Sequence, residues 1–573
     1  MILRQHFVVT VTVGLLTSLV TLPVLAQRAP DTGTLLREIE RSTGKTQVAP
    51  APLLPVKPDP AGVPLPEKAG EAVLVQGFRI EAERFPAAEL QALLKDDIQR
   101  ELTLVQLQAA ARKISEYYRQ HDYLAYAYLP PQTVRDGIVT IKVVEAKLGQ
   151  VKRDASVPSR MRDAIVLGTV THRAVPGQPL RPGQLDQAIA ALNELPGVGR
   201  ADSVLQPGAN LGESDAVVRL TDAPLAQGNL TLNNAGSEAT GLWQGSLAGS
   251  LDSPLGRGEQ FQLSLLKSEG SRYVRLGASY PLGVSGRRVA ISASALEYEI
   301  KPTISPLELN GTSTTAGIEL TQPLRRSAKL SVTATAGLDA KRMVDRMDSV
   351  TLGDKQVRVA YVGLSATRRD DWLGGGVNTV DLTVNLGDLD LTRRPEQFEG
   401  DQHTAQTHGN YGKLHVTLSR EQPVTTRVTL VPTLAAQWAA SNLDSSEKFS
   451  LGGVYGIRAY PTGEASGDHG WLFNLEARWQ VRESWRVSGF YDCGWIQQHA
   501  DPWLNWQTVA GQPNSYYLQG VAVGLLWTPA PLFQAQALVA SVLGDNPGQD
   551  AAGHNSDGGD DQFRAWVQIN FRF

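Results

Sequence analysis

From Pro224 to Phe573 the chain shows no helical period, and short segments alternate apolar with polar side chains instead. The last segment is the clearest. Ala565, Val567, Ile569, Phe571 and Phe573 fall on one face of a strand, and Trp566, Gln568, Asn570 and Arg572 fall on the other. All 11 tryptophans lie at or beyond Trp243. Alternation alone fits two architectures: a soluble sandwich with its polar face in water, or a cylinder with its apolar face in lipid. Strand count and connection length separate them. Sixteen such segments run from Gly228–Asn234 to Gln562–Phe573, and beyond the fifth the connections alternate long and short. The long ones are Pro302–Leu309, Asp345–Asp354, Asp388–Gly409, Ser441–Gly470, Gln497–Ser515 and Gly544–Asp561. Transmembrane barrels have even strand numbers, tight turns at one end and long loops at the other, whereas a sandwich has no reason to sort its loops by parity. The expected fold is therefore mainly β, with a sixteen-stranded transmembrane barrel over residues 225–573.

The rest of the composition agrees. Glycine is plentiful at 54 and methionine scarce at 4, as short strands and turns require. No run of 18 apolar residues follows the first 25 positions, so helical membrane spans are not expected. A net charge of −4 gives no basic face for nucleic acid. The single cysteine, Cys493, forbids an internal disulfide and a multi-cysteine zinc site, and it reads as a small lipid-facing residue.

The first residues set the compartment. Arg4, the apolar stretch Phe7–Leu25 and the small residue Ala26 read as a secretory signal over residues 1–26. Export makes ATP-driven chemistry improbable. Thr43–Thr46 imitates the end of a phosphate loop, but Ile39 stands where its first glycine is required. Residues 27–46 hold one amphipathic helix, Asp31–Gly44, with Leu35, Leu36 and Ile39 at helical spacing; a helix this short needs a surface to dock on. The proline-rich stretch 47–71 reads as an extended tether.

Residues 72–147 and 148–224 repeat one β-α-α-β-β order. The first unit has strand Val73–Ile80, helices Ala87–Ile98 and Leu104–Tyr118, and strands Tyr123–Leu129 and Gly137–Val144. The second has strand Gly149–Arg153, helices Ser159–Val166 and Pro182–Leu195, and strands Val198–Gln206 and Asp215–Thr221. Each unit builds a small α/β layer with an open sheet edge.

The longest loop carries the candidate chemistry. Ser445–Asp468 is glycine-rich and contains Ile457, Arg458, Ala459 and Tyr460; two strands later comes F-Y-D-C-G-W, Phe490–Trp495. Alternation puts Phe490, Asp492 and Gly494 on one face, and Tyr491, Cys493 and Trp495 on the other, which suits lipid. Asp492 should then point into the lumen, as should Glu476 on the preceding strand. A loop arginine folded inward would supply the cation such a carboxylate needs, so Arg458 is expected to reach Asp492, with Glu476 as a second acceptor. A solvated Arg458 and a water-facing Asp492 fit the same spacing.

The I-R-A-Y of Ile457–Tyr460 resembles the V-R-G-Y/F loop-tip motif, and F-Y-D-C-G resembles the F-x-D-x-G strand motif, of two-partner secretion transporters of the ShlB/FhaC/HecB type. These belong to the wider superfamily of BamA-like barrels with periplasmic POTRA domains. The resemblance spans the mature chain, including Y-L-P-P-Q-T-V-R-D-G at Tyr128–Gly137 in the first unit; Ala459 stands where the family often has glycine. It implies a bacterial outer-membrane protein with its two POTRA units in the periplasm. Its partner would be an unfolded exoprotein with an amino-terminal secretion domain, an adhesin or a haemolysin, passed through the barrel without ATP while Asp31–Gly44 plugs the pore at rest. The substrate would add to the edge near Val73–Ile80 or at the helix border Leu104–Tyr118, which makes Val73, Val75, Ile80, Leu104, Leu107 and Tyr118 contact candidates. Val73, Val75 and Ile80 read more simply as core. Phe571 and Phe573 resemble the signal that barrel-assembly machinery reads, and outer-membrane lipid is the remaining partner.

A BamA-like assembly factor, a passive porin and a barrel enzyme are the other readings. The first usually has more POTRA units, the second needs none, and no catalytic motif supports the third. No metal or other cofactor is expected. His403, His408 and His415 read as surface histidines, and Asp545–Asp561 as a solvated acidic loop.

Overall fold

A computed structural model describes residues 29–43 and 72–573, apart from residues 211, 328 and 508. The signal-sequence reading of residues 1–26, most of the Thr43–Thr46 decoy and the 47–71 tether lie outside the described residues.

Sixteen strands close into one antiparallel barrel. It opens with β9 (Ala226–Asn233), β10 (Gln244–Asp252), β11 (Gln260–Lys267), β12 (Ser271–Pro281) and β13 (Arg288–Glu299). The tallest wall follows: β14 (Leu309–Arg326), β15 (Leu330–Met347), β16 (Val350–Asp370), β17 (Gly376–Asp390) and β18 (Gly409–Pro423). The rest is β19 (Val428–Ala439), β22 (His469–Arg482), β23 (Trp485–Gln497), β24 (Ser515–Ala530), β25 (Phe533–Val542) and β26 (Phe563–Arg572). The small hairpin β20 (Phe449–Ser450) and β21 (Ser466–Gly467) lies inside the long loop before β22. Closure joins β26 to β9, with Gln568 opposite Asn233 and Arg572 opposite Asn229.

One expected loop is missing. Asp345–Asp354 is not a long connection; β15 and β16 run on to a tight turn at Asp348 and Ser349, whose φ values of +51° and +85° give the twist a two-residue hairpin prefers. Arg342 pairs with Asp354 across the extended ribbon at 2.9 Å, so charged residues beyond the bilayer stay in the sheet.

The outward faces show why the cylinder suits lipid. On β16, Arg358 and Arg368 bracket Ala360, Val362, Leu364 and Ala366; on β17, Asp388 and Asn378 bracket Leu386, Val384, Leu382 and Val380. Val362 is 63% and Leu386 64% exposed to the surroundings. The ten residue steps from Arg358 to Arg368 span about 33 Å along a strand, or about 25 Å along the normal at a tilt of about 40°, which is the height of an outer-membrane apolar band. Trp485, Trp527, Phe533 and Phe571 form a chain of aromatic contacts at 5.2–5.8 Å near the end of this band that faces the amino-terminal units.

Those units each have their own core. In the first, β2 (Gly77–Glu81) pairs in parallel with β5 (Ile138–Glu145), and β4 (Ala125–Tyr128) flanks β5 on the other side. The expected helix Ala87–Ile98 is shorter, α2 (Ala87–Ala92). The chain turns at Gln99, with φ +60°, and β3 (Arg100–Leu102) pairs with β1 (Val73–Val75) before α3 (Leu104–Gln120) begins. Thr103 and Gln106 cap α3 reciprocally. In the second unit, β6 (Lys147–Arg153) runs parallel to β8 (Glu213–Asp222), with β7 (Val198–Pro207) outside β8. Its first helix, α4, is Asp163–Thr171 and not Ser159–Val166. Asp222 takes hydrogen bonds from Ser159 Oγ (2.5 Å) and Arg160 N (2.8 Å), which holds that stretch against the sheet and delays the helix. α5 (Pro182–Asn193) follows, with proline at its start.

The second unit rests on the barrel rim. Arg162 N donates to Gly256 O at 2.9 Å, Arg173 to Ser285 O at 3.0 Å, and Arg326 pairs with Glu194.

Candidate functional site

Two segments fill the lumen. The first is helix α1 (Thr32–Ser42), whose amino end Asp31 caps by accepting from Thr34 N at 2.9 Å. Leu35, Leu36 and Ile39 face the wall and pack among Tyr273, Leu296, Tyr298, Met343, Val357 and Val359, all inward-facing on β12, β13, β15 and β16. The amphipathic stripe read from the sequence thus finds its surface inside the barrel. The second segment is the loop 440–468 between β19 and β22.

The tip of that loop is clamped to β23. Arg458 donates twice to Asp492, from its guanidinium at 2.5 Å and from its backbone N at 3.1 Å. Its guanidinium carbon lies 4.1 Å from the centroid of Phe490, and Trp566 Nε1 donates to Arg458 O at 2.8 Å. Asp492 is 1% exposed, so its charge is satisfied by these donors and not by water. Ile457, Ala459 and Tyr460 are buried around the ion pair, with Leu451, Leu472, Tyr516 and Leu538. Gly494 permits the approach: a Cβ there would stand 2.7 Å from Leu451 Cδ2. Gly520 does the same on β24, where a Cβ would stand 2.6 Å from that of Ala459.

Glu476 is not the second acceptor. Arg478 (2.9 Å) and Ser488 (2.9 Å) hold its carboxylate instead. It sits one inward position below Asn474, about 7 Å further along the strand. Asn474 lies directly opposite Asp492 and donates to it at 2.7 Å.

Three wall lysines hold the outer part of the loop and the head of the helix. Lys341 on β15 and Lys413 on β18 pair with Glu447 at 2.9 and 2.8 Å. Lys355 on β16 pairs with Asp444 at 2.7 Å and with Asp31 at 2.8 Å. Helix and loop also bind each other. Arg37 donates to Ser445 O (2.8 Å) and Lys448 O (3.1 Å), and Arg41 to Tyr455 O (2.6 Å). The helix and the loop are therefore joined to each other as well as to the wall.

Two carboxyls of this assembly differ in protonation. Burial alone would raise the Glu447 carboxyl, but Lys341 and Lys413 hold it down to about 2, so it stays ionised at any working pH. Burial lifts the Glu38 carboxyl on α1 to about 7 from an ordinary 4.5, with Arg37 and Arg41 offsetting part of the rise. A raised carboxyl favours the docked helix most below pH 4.5, and the benefit is lost as pH climbs through 7. Channel openings in planar bilayers should therefore be several-fold more frequent at pH 8 than at pH 5.5, and Glu38→Gln should flatten the profile. An unaltered pH response in that variant would remove Glu38 from the account.

Other expected positions fall elsewhere. Val75, Ile80, Leu107 and Tyr118 are buried in the core of the first unit, so they cannot touch a substrate while it stays folded. Val73 is half-buried, and Leu104 is 55% exposed beside Val105 in the chain. Phe571 and Phe573 stand on the lipid face, Phe571 against Phe533 at 5.2 Å. His415 is not a surface residue; it points into the lumen toward Phe449. The loop Asp545–Asp561 is not merely solvated, because Asn546 Nδ2 and Ser556 N donate to Glu464 at 2.8 and 2.7 Å and fold it over the long loop.

Residues 212–525 match the family model described as haemolysin secretion/activation protein ShlB/FhaC/HecB, and residues 73–146 match the ShlB-type POTRA domain. The heme/hemopexin transporter protein HuxB of Haemophilus influenzae is 25% identical, over 91% of this chain and 93% of its own length. The solved structure of CdiB from Escherichia coli superposes with a TM-score of 0.67 at 22% identity, covering 92% of this chain and 94% of CdiB. BamA from Haemophilus ducreyi lacking its POTRA domains 1–3 superposes at 0.52 and 12% identity, covering 88% of this chain and all (100%) of that one. With more than half its length inside the first match, the chain belongs to the ShlB/FhaC/HecB haemolysin secretion/activation family of outer-membrane transporters.

Proposed function

We propose that the chain takes a partner exoprotein in the periplasm through its POTRA units and passes it, extended, through the barrel to the cell surface. The observation that carries this reading is the filling of the lumen. The sixteen-stranded wall is closed, yet its interior is occupied by a helix and a loop held through side-chain contacts that can be broken without opening the sheet. A passive porin has no use for a helix locked in its lumen by Lys355 and Arg37.

The substrate would add to a sheet edge in the first unit, where β2 and β4 each have a neighbour on one side only among the described residues. Main-chain hydrogen bonds supply affinity there without demanding much sequence. The exposed Leu104 and the half-buried Val73 remain contact candidates. No nucleotide enters the scheme. Direction comes from the exoprotein folding outside, since each domain gains about 5–15 kcal/mol and does not return as an extended chain. An adhesin or a haemolysin fits this route. Phe571 and Phe573 are proposed as the residues that the barrel-assembly machinery reads.

The test is co-expression with an exoprotein bearing an amino-terminal secretion domain, in cells lacking other such transporters. Exoprotein should appear in the medium with the chain present and accumulate in the periplasm without it. Equal release in both strains would refute the assignment.

A further inference from the structure

The outer surface of the tall wall ends, toward the periplasm, in a row of arginines. Arg368 on β16 lies opposite Leu330 on one side and Asn378 on the other, and Asn378 lies opposite Arg420 on β18, so all share the lipid-facing side. Arg325 on β14 lies opposite the outward Val332 and joins the row. The row marks the lower limit of the apolar band bounded above by Arg358 and Asp388.

The two limits are charged differently. At the upper one, Arg342 is paired with Asp354, and Arg358, which donates to Gln356 Oε1 at 3.4 Å, has the acidic Asp388 directly across from it on β17. At the lower one, Arg420 is neutralised by Asp370, whose two oxygens it meets at 2.8 and 3.0 Å. Arg325 and Arg368 are exposed and have no acidic partner among the described residues. One strand, β15, lies between them, and Arg325 is level with Ala366, two residues from Arg368; that places their backbones about 12 Å apart, and long side chains can close that gap on one headgroup.

The adjoining turn supplies an apolar anchor at the same height. Between β16 and β17, Trp372 is 64% and Leu373 66% exposed, and Leu373 is held at φ +51°, a conformation a leucine adopts only at a cost. Arg420 stacks over Trp372 at 4.9 Å. Indole and leucine at the same end of the wall as the unpaired guanidinium groups suit the boundary between headgroups and acyl chains. A guanidinium presents two parallel donors to a phosphate, and an unneutralised pair favours a lipid of net negative charge.

We propose that Arg325 and Arg368 form a binding site for an anionic phospholipid of the inner leaflet. Its phosphodiester is held by the two guanidinium groups, and its acyl chains lie over Leu324, Leu364 and Val380. The site fixes the tall wall to the inner leaflet on the face that ends beside the docked second unit, at Arg326.

Native mass spectrometry of the full chain in detergent tests this, with phosphatidylglycerol and phosphatidylcholine as probes. The wild type should retain phosphatidylglycerol at collision energies that strip phosphatidylcholine. Arg325→Gln with Arg368→Gln should lower the phosphatidylglycerol-bound fraction at least threefold, while the charge-keeping pair Arg325→Lys and Arg368→Lys should retain it. Arg342→Gln with Arg358→Gln, at the other limit, should bind as the wild type does. Each variant is first checked for the heat-modifiable gel mobility of an assembled barrel. Equal retention of the two lipids by the wild type, or unchanged phosphatidylglycerol binding in the double glutamine variant, overturns the proposal.

Discussion

Secretion should fall at least tenfold in an Arg458→Ala variant whose barrel is still assembled. The substitution leaves Asp492 buried with only Asn474 Nδ2 and the backbone N of residue 458 as donors. Removing one partner of a buried pair costs about 3–5 kcal/mol, because the other charge stays desolvated. The tip loses its contact with Phe490 as well, so the loop would leave β23 for most of the time. Arg458→Lys should be intermediate, because an ammonium keeps the charge but is a point donor without the planar face that lies over Phe490. The double variant Arg458→Ala with Asp492→Ala removes both charges. If the pair itself matters, its loss should be smaller than the two single losses added together. Secretion assays on cells with matched barrel levels, judged by heat-modifiable mobility, supply the numbers. Arg458→Ala secreting within twofold of wild type would show that the clamp is incidental to transport.

The outcome at Glu476 shows what a sequence of this type can and cannot reveal. A strand period of two assigns each residue to a face, so Phe490, Asp492 and Gly494 were legible as inward and Phe571 as outward. Height is a different quantity. It depends on the stagger between neighbouring strands, which alternation does not encode, and so Glu476 and Asn474 were equivalent until the register put Asn474 opposite Asp492. Lys341, Lys355 and Lys413 were hidden for the same reason: each is one inward lysine on a different strand, and only the barrel's closure and stagger bring them to one loop and one helix. Trp566, more than a hundred positions from Arg458, is a further case. Loop lengths misled once, at Asp348–Ser349, because polar residues above the membrane can remain pleated. The helix register in the second unit was lost to Ser159 and Arg160, whose bonds to Asp222 are long-range in sequence. Leu35, Leu36 and Ile39 identified a helix that needed a surface, but nothing in their spacing named the lumen as that surface.

That helix carries the second large effect. Deleting Thr32–Ser42 should raise single-channel conductance in planar bilayers several-fold, with long openings replacing brief ones. An eleven-residue helix is not stable alone in water, so its order comes from docking. Burying Leu35, Leu36 and Ile39 contributes about 2 kcal/mol each as an upper estimate, and Asp31 adds its pairing with Lys355. Against this stands the conformational freedom the segment regains when it leaves, so a substrate that takes over the helix's contacts can release it. A docked helix about 10 Å across narrows further a lumen that the loop 440–468 already enters. Its loss also takes Arg37 and Arg41 from Ser445, Lys448 and Tyr455, loosening the loop's outer part while Arg458 keeps the tip in place. Lys355→Met should give a smaller change in the same direction, because it releases the head of the helix and keeps its apolar face docked. Unchanged conductance on deletion would mean that the loop alone seals the barrel and that the helix serves another step.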